Sequence, residues 1–189
     1  MNSVIYLSLM VVLLFTIQGQ AQTNRPQEVP VDYGYIVKIG QPLPAFEMTL
    51  CDGKVVKSSD LLGKVVMLQF TASWCGVCRK EMPHIEQEIW KKHKDNPEFA
   101  LFGIDMDEPL DKVVKFGKDM EITYPLALDP GAKIFYTFAA EKAGVTRNVI
   151  VDKSGKIVFM TRLYKEEEFN EMKRVIARLL KEKPVIGNR

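Results

Sequence analysis

The run Val65-Val66-Met67-Leu68-Gln69-Phe70 is largely apolar on both faces of an extended chain, and it leads directly into Thr71-Ala72-Ser73-Trp74-Cys75-Gly76-Val77-Cys78. A strand that is apolar on both sides must be buried on both sides. That places it at the centre of a sheet covered by helices, the setting of parallel strands. Beyond it Met82, Ile85 and Ile89 recur at spacings of three and four, with Lys80, Glu86, Glu88, Lys91 and Lys92 between them. The chain therefore passes from strand to amphipathic helix at the two cysteines. Pro83 falls inside this helix and is expected to kink it. Two thiols at i and i+3 of a first helical turn share a face and can close a Cys75–Cys78 disulfide without backbone movement. The free N–H groups and positive dipole end of a helix N-terminus favour thiolate, so Cys75 is expected to have a lowered pKa and to be the attacking sulfur.

The flanking sequence supplies the rest of a mixed sheet. Phe46, Met48 and Leu50 alternate with Glu47 and Thr49, Asp52-Gly53 makes a hairpin turn, and Val55-Val56 returns. Ser58-Ser59-Asp60 caps a short turn ended by Gly63. Further strands are expected at Phe99–Ile104, Tyr124–Leu128, Val149–Val151 and Ile157–Met160. Helices are expected at Leu110–Met120 and Ala132–Phe138, with a last one marked by Phe169, Met172, Ile176 and Leu179. Alternating β and α units closed by a hairpin and a helix predict an α/β domain with helices on both faces of the sheet, over residues 39–182. Residues 22–38 are polar and proline-bearing and read as a linker; residues 183–189 read as a tail.

The chain of 189 residues carries a net charge of +2 without a long basic run, so nothing in it calls for nucleic acid. Val4 to Ile17 is nearly unbroken apolar sequence, shorter than the ~20 residues that span a bilayer comfortably. Gly19 and Ala21 occupy the small-residue positions of a signal-peptidase site, so residues 1–21 read as a signal peptide cleaved after Ala21. The alternative is an uncleaved membrane anchor. Either reading puts the domain outside the cytosol, in the periplasm, where disulfides persist. Of the three cysteines, Cys51 is left over and reads as a small buried or half-buried hydrophobe.

The segment Gln69–Pro83 resembles the active-site segment of extracytoplasmic thioredoxin-like proteins of the TlpA/ResA type. Gly40-Gln41-Pro42-Leu43-Pro44-Ala45-Phe46 and Gly144-Val145-Thr146-Arg147-Asn148-Val149-Ile150-Val151-Asp152 match it in the same order, so the resemblance runs from Ile39 to Leu180. It implies a thioredoxin fold with an N-terminal β-hairpin and a central αβ insertion. It also implies thiol–disulfide exchange with protein disulfides, run as a reductant, with no cofactor. A membrane dithiol donor would recharge the pair, the protein would act as a monomer, and cytochrome c maturation is one outlet for such a reductant. Cys75 would attack, Cys78 would resolve, and Trp74 would pack beside and shield them, or be simply a core aromatic. Glu81 would exchange a proton with Cys78; otherwise it is an exposed carboxylate paired with Lys80 or Arg79. Gln69 occupies the place of a buried proton-transferring aspartate in cytosolic thioredoxins and cannot ionise.

The chain departs from that pattern in two places. Gly76-Val77 stands where thioredoxin has Gly-Pro, which leaves the redox potential open. Thr146 stands where a cis-proline usually faces the disulfide. A cis bond before a non-proline costs ~2.5–4 kcal/mol, so Val145–Thr146 is expected trans, with the Thr146 hydroxyl free to contact a thiolate. Arg147 either lends positive charge to the site or is a solvated strand-end residue. Two other functions stay open: a thiol peroxidase of the peroxiredoxin type, and a non-catalytic peptide-binding domain held by a structural Cys75–Cys78 bond. His84 and His93 make a poor zinc set with the cysteines, Arg79 sits where haem attachment needs histidine, and Asp105, Asp107 and Glu108 read as a solvated strand-end loop.

Overall fold

The computed structural model describes residues 27–182, so the expected signal peptide and C-terminal tail lie outside the described residues. Seven strands form one sheet in the order β2-β1-β5-β4-β3-β6-β7. The central strand is β3 (Val65–Thr71), every residue of which is buried. It runs parallel to β4 (Phe99–Met106), and β4 runs parallel to β5 (Leu126–Asp129). On the far side β6 (Arg147–Val151) pairs antiparallel with β3, and β7 (Ile157–Arg162) pairs antiparallel with β6. The expected hairpin, β1 (Glu47–Leu50) and β2 (Val55–Lys57), adds to the β5 edge.

Two crossover helices, α1 (Gly76–Ile85) after β3 and α3 (Leu110–Asp119) after β4, connect parallel neighbours stepping in the same direction. Right-handed crossovers then put both on one face. There Arg79 of α1 lies over the Phe116 ring of α3, with 5.6 Å from its guanidinium carbon to the centroid. The C-terminal helix α5 (Glu166–Lys181) joins them: Lys173 pairs with Glu88, and Phe169 meets the His84 ring. The opposite face is closed by α4 (Phe135–Phe138), whose two phenylalanines pack on Phe70 at centroid distances of 5.6 and 5.2 Å.

Two local findings differ from the sequence expectation. Residues 27–38 do not hang free as a linker. Tyr33 and Val37 are buried, the Gln27 amide exchanges hydrogen bonds with the Met160 backbone, and the Tyr35 hydroxyl donates to the Thr161 carbonyl at 2.6 Å. Val37 joins the hydrophobic core, and Val29 and Ile39 pack against it, docking this stretch onto the domain. The helix continues through Pro83 and then widens into a π-turn at Glu86–Trp90 before a last short turn, α2 (Lys91–His93). That widening carries Glu86 inward, where its carboxylate accepts from the Thr123 N–H at 2.8 Å and hydroxyl at 2.7 Å.

Candidate active site

Cys75 is the N-cap of α1, at the point where the chain leaves the C-terminal end of β3. Its sulfur accepts the Cys78 N–H at 3.3 Å, one of the free donors of the first turn. Cys75 is half-buried, whereas Cys78, one turn on, is completely buried. Immediately before β6, Thr146 places its hydroxyl 3.1 Å from the Cys75 sulfur and 3.2 Å from the Cys78 sulfur. Sequence placed Thr146 opposite the thiols, and the structure puts its hydroxyl between them. The peptide bonds of the described residues are all trans.

The two thiols are made unequal by this geometry. Cys75 is drawn down to about 6, chiefly by the hydrogen bond from the Cys78 thiol, with Thr146 and the Cys78 and Val77 N–H groups adding to it against the cost of burial. Cys78 is pushed far above the ordinary thiol range by its hydrogen bond to the Cys75 sulfur and by burial. At neutral pH the pair carries one negative charge, held on the solvent-accessible sulfur. A thiolate at a helix N-terminus is the nucleophilic form of cysteine.

Beneath the sulfurs lies a buried polar layer. Glu81, 1% exposed, accepts the Asn148 side-chain amide at 2.7 Å, and Asn148 also donates to the Thr161 hydroxyl at 2.9 Å. Burial lifts the Glu81 carboxyl to about 7 against the Asn148 hydrogen bond, and the Cys75 charge raises it further. The surface-pairing alternative for Glu81 is excluded: Lys80 reaches out over the Tyr164 ring and Arg79 over Phe116. Gln69, on the same face of β3, is fully buried and accepts the Tyr124 hydroxyl at 2.7 Å.

Three sequence expectations fail here. Trp74 does not shield the pair; it is 64% exposed, because the tight turn into α1 directs it outward. Arg147 is neither solvated nor beside the sulfurs. Side chains alternate along β6, so Thr146 and Asn148 serve the helical face while Arg147 is buried on the other, stacked on Tyr35 at 4.6 Å. The acidic loop is solvated only at Asp107; Asp105 and Glu108 are buried. Asp105 ends the buried part of β4, 0% exposed, and its carboxyl is raised to about 8 by burial and by Glu108. Glu108 turns inward and accepts the Ser73 N–H at 2.6 Å and hydroxyl at 2.8 Å, fixing the turn two residues ahead of Cys75; Lys112 pairs with it. Gly76 and Val77 lie at the rim. A side chain at Gly76 would meet nothing within 4 Å.

Sequence reading missed Asn148, Tyr124, Ser73 and Glu108. Asn148 had a signal, a lone amide immediately before the apolar run Val149-Ile150-Val151. The Ser73–Glu108 contact spans two crossover loops and had none. Cys51 is half-buried, its thiol raised by burial. His84 stacks on Tyr164 and His93 sits edge-on to Phe99, each committed to a separate aromatic neighbour.

Comparison with known proteins agrees with this site. The Redoxin family profile matches residues 38–176. Thiol-disulfide oxidoreductase ResA of Bacillus cereus is 34% identical over 122 residues, 65% of this chain and 68% of that protein. The ResA of Geobacillus thermodenitrificans is 26% identical over 157 residues, 83% of each. Among solved structures, a candidate protein disulfide isomerase from Bacteroides thetaiotaomicron is 64% identical, with a TM-score of 0.77 over 79% of this chain and 94% of that one. A DsbE-type thiol:disulfide interchange protein from Chlorobium tepidum is 26% identical, with a TM-score of 0.66 over 76% of this chain and 99% of that one. A strand-ending dithiol with one activated and one buried sulfur, on a sheet of this topology and with these relatives, means that the chain belongs to the Redoxin family and is a thiol–disulfide oxidoreductase of the TlpA/ResA-like thioredoxin type.

Proposed function

We propose that this chain reduces disulfides in protein substrates outside the cytosol, with Cys75 as nucleophile and Cys78 as resolving thiol. The observation that carries this reading is the inequality of the two sulfurs around the single Thr146 hydroxyl. The Cys75 thiolate attacks one sulfur of the substrate disulfide. A Cys75–substrate disulfide forms, the substrate S–S bond breaks, and one substrate thiolate leaves. That step removes the negative charge from Cys75, and with it the hydrogen bond and repulsion that hold the Cys78 proton in place. Cys78 then gives its proton to Glu81, one turn along α1, whose carboxyl sits near neutrality. The Cys78 thiolate attacks the Cys75 sulfur, the mixed disulfide breaks, and the second substrate thiolate departs. Two electrons pass from the protein to the substrate, leaving a Cys75–Cys78 disulfide. A membrane dithiol donor returns the pair to the reduced state by the same steps in reverse.

The signal-peptide pattern at residues 1–21 supports the extracytoplasmic assignment, and the ResA and DsbE-type relatives support thiol–disulfide exchange as the chemistry; cytochrome c maturation is one outlet such a reductant would serve. Exposed Trp74 and the half-buried Cys75 sulfur leave the thiolate open to a protein-sized partner. The deciding experiment equilibrates the purified protein with dithiothreitol and glutathione buffers and traps the thiols. A potential near the ~−270 mV of thioredoxin supports a reductant, whereas one near the ~−120 mV of DsbA makes the protein an oxidant and defeats the proposal. Cys78→Ser should accumulate mixed disulfides with substrate, and Cys75→Ser should form none.

A further inference from the structure

The crossover from β4 into α3 carries two carboxyl groups inward, and the exchange chemistry uses neither. Glu108 is fully committed. Its oxygens accept the Ser73 N–H at 2.6 Å and the Ser73 hydroxyl at 2.8 Å, and Lys112 pairs with it. Against the cost of burial, these donors hold its carboxyl below the ordinary value, so it is a carboxylate at neutral pH. Asp105, three residues earlier, is completely buried and has the opposite surroundings. Neither of its oxygens meets an N–H or O–H donor. Its register partners on the sheet are Thr71 of β3 and Leu128 of β5, and the Thr71 hydroxyl is turned to the Met82 sulfur of α1 at 3.3 Å. The group within its hydrogen-bonding reach is the Glu108 carboxylate itself.

Two carboxyl groups in contact away from water are stable only with a proton between them, because two adjacent negative charges there repel strongly. The donors decide which one holds it. Glu108 has Ser73 and Lys112 to meet its charge and Asp105 has no donor, so the proton resides on Asp105 and its O–H points to Glu108. The other charged or titratable groups in its field are Lys112 on α3, already paired with Glu108, and the Cys51 thiol at the end of β1, which is raised and therefore uncharged at neutral pH. Burial, and after it Glu108, lifts the Asp105 carboxyl from 3.8 to about 8. A carboxyl raised on folding contributes stability that is fully present below pH 3.8 and is lost as pH rises through about 8.

The structure assigns Asp105 the part of a positioning residue for the nucleophile: its carboxyl proton holds the Glu108 carboxylate on the Ser73 turn, and when that proton leaves, the two charges part and the turn that presents Cys75 loosens. Asp105 acts through Glu108 and Ser73. The inference rests on Cys75 as the nucleophile and is independent of the direction in which the dithiol runs. The test uses the reduced full chain between pH 6 and 9, with two readouts. One is the hydrogen-exchange protection factor of the Ser73 amide; the other is the rate of reaction with hydroxyethyl disulfide, a neutral probe. In wild type the protection factor should fall about tenfold from pH 7 to 9, as one charge-assisted hydrogen bond is lost, and the rate should fall above pH 8. Asp105→Asn keeps a donor toward Glu108 and cannot ionise, so its protection factor should stay level and its rate should hold to pH 9. A level protection factor in wild type would overturn the inference, as would the same fall in both proteins. Loss of protection with no change in rate would sever Asp105 from Cys75 and overturn it too. If Asp105→Asn does not fold, the carboxyl-carbon resonance of Asp105 in wild type decides: titration above pH 7 supports the shared proton, and titration in the ordinary carboxylate range refutes it. Failure of the reductant reading would appear in the redox potential and leave these readouts unchanged.

Discussion

Glu81 offers the sharpest quantitative test of the buried layer. Its carboxyl moves from an ordinary value of 4.5 to about 7 on folding because it is buried under α1 with one amide donor, Asn148. The folded protein thus holds the Glu81 proton more tightly than the unfolded chain does. Stability from this group is fully present below pH 4.5, declines as pH rises, and is lost once pH exceeds about 7. At about 1.4 kcal/mol per pH unit the loss is ~3 kcal/mol, a large part of a typical domain's net stability. Glu81→Gln keeps the shape and keeps an oxygen for Asn148 while removing the ionisation. Above pH 8 it should therefore be more stable than wild type by up to ~3 kcal/mol, and at pH 4 or below the two should agree within ~0.5 kcal/mol. Cys75 works in the opposite sense: its depressed pKa adds stability that is complete above pH 9 and is lost as pH falls through about 6. Both proteins share that contribution, so it drops out of the difference to first order. Urea denaturation of the reduced proteins at pH 4, 6 and 8.5 gives the comparison. A gap that does not grow with pH would refute a buried, ionising Glu81. If Glu81 also accepts the resolving proton, Glu81→Gln will gain stability and lose turnover together.

Thr146→Val removes a hydroxyl that touches both sulfurs, so the midpoint of Cys75 alkylation, expected near pH 6 in wild type, should rise by ~1 unit; an unchanged profile would show that the hydroxyl does not hold the thiolate. Gly103→Ala would place a methyl 2.5 Å from Leu126 Cδ2 and 3.2 Å from Tyr124 Cε2, so it should cost ~1–3 kcal/mol by overpacking, read as a lower denaturant midpoint, whereas Gly76→Ala should be neutral. Tyr124→Phe leaves the buried Gln69 oxygen without its 2.7 Å donor and should destabilise by ~1–3 kcal/mol, also measured by denaturation. Glu108→Ala frees the Ser73 N–H and hydroxyl, and the turn before Cys75 should then show faster amide hydrogen exchange at Ser73 than in wild type.

The strand and helix order was legible because each element carries its own periodicity: the apolar β3, the alternating β1, and the three-and-four spacing after Cys78. The dithiol was legible for the same local reason, since two cysteines in one helical turn need no distant residue to meet. What sequence could not give was which way a side chain turns once the sheet assembles. The resemblance turns Trp74 toward the dithiol, and Arg147 reads either as a charge beside the site or as a solvated strand end. The turn into α1 and the alternation of β6 reversed both. Glu108 and Asp105 read as solvent-facing because acidic residues after a strand usually are. Here the crossover into α3 folds back over the Ser73 turn, and a backbone N–H needing an acceptor draws Glu108 inward.

That reversal explains how the site keeps two sulfurs chemically distinct without a proline beside them. β6 and the residue before it place Thr146 and Asn148 on one face and Arg147 on the other, so three consecutive residues supply the hydroxyl between the thiols, the amide on Glu81 and a fixed guanidinium behind them. Arg147 donates to Gly144, at the start of the turn that carries Thr146. The turn is therefore held from behind by a stacked, buried cation while its hydroxyl faces the dithiol from the front. A change that loosens the Arg147 stack, such as Tyr35→Leu, should then be felt at the sulfurs even though Tyr35 touches neither. The rate of Cys75 alkylation at pH 6 should fall, because a mobile Thr146 stabilises the thiolate less. An unchanged rate in a folded Tyr35→Leu protein would show that the two faces of β6 act independently.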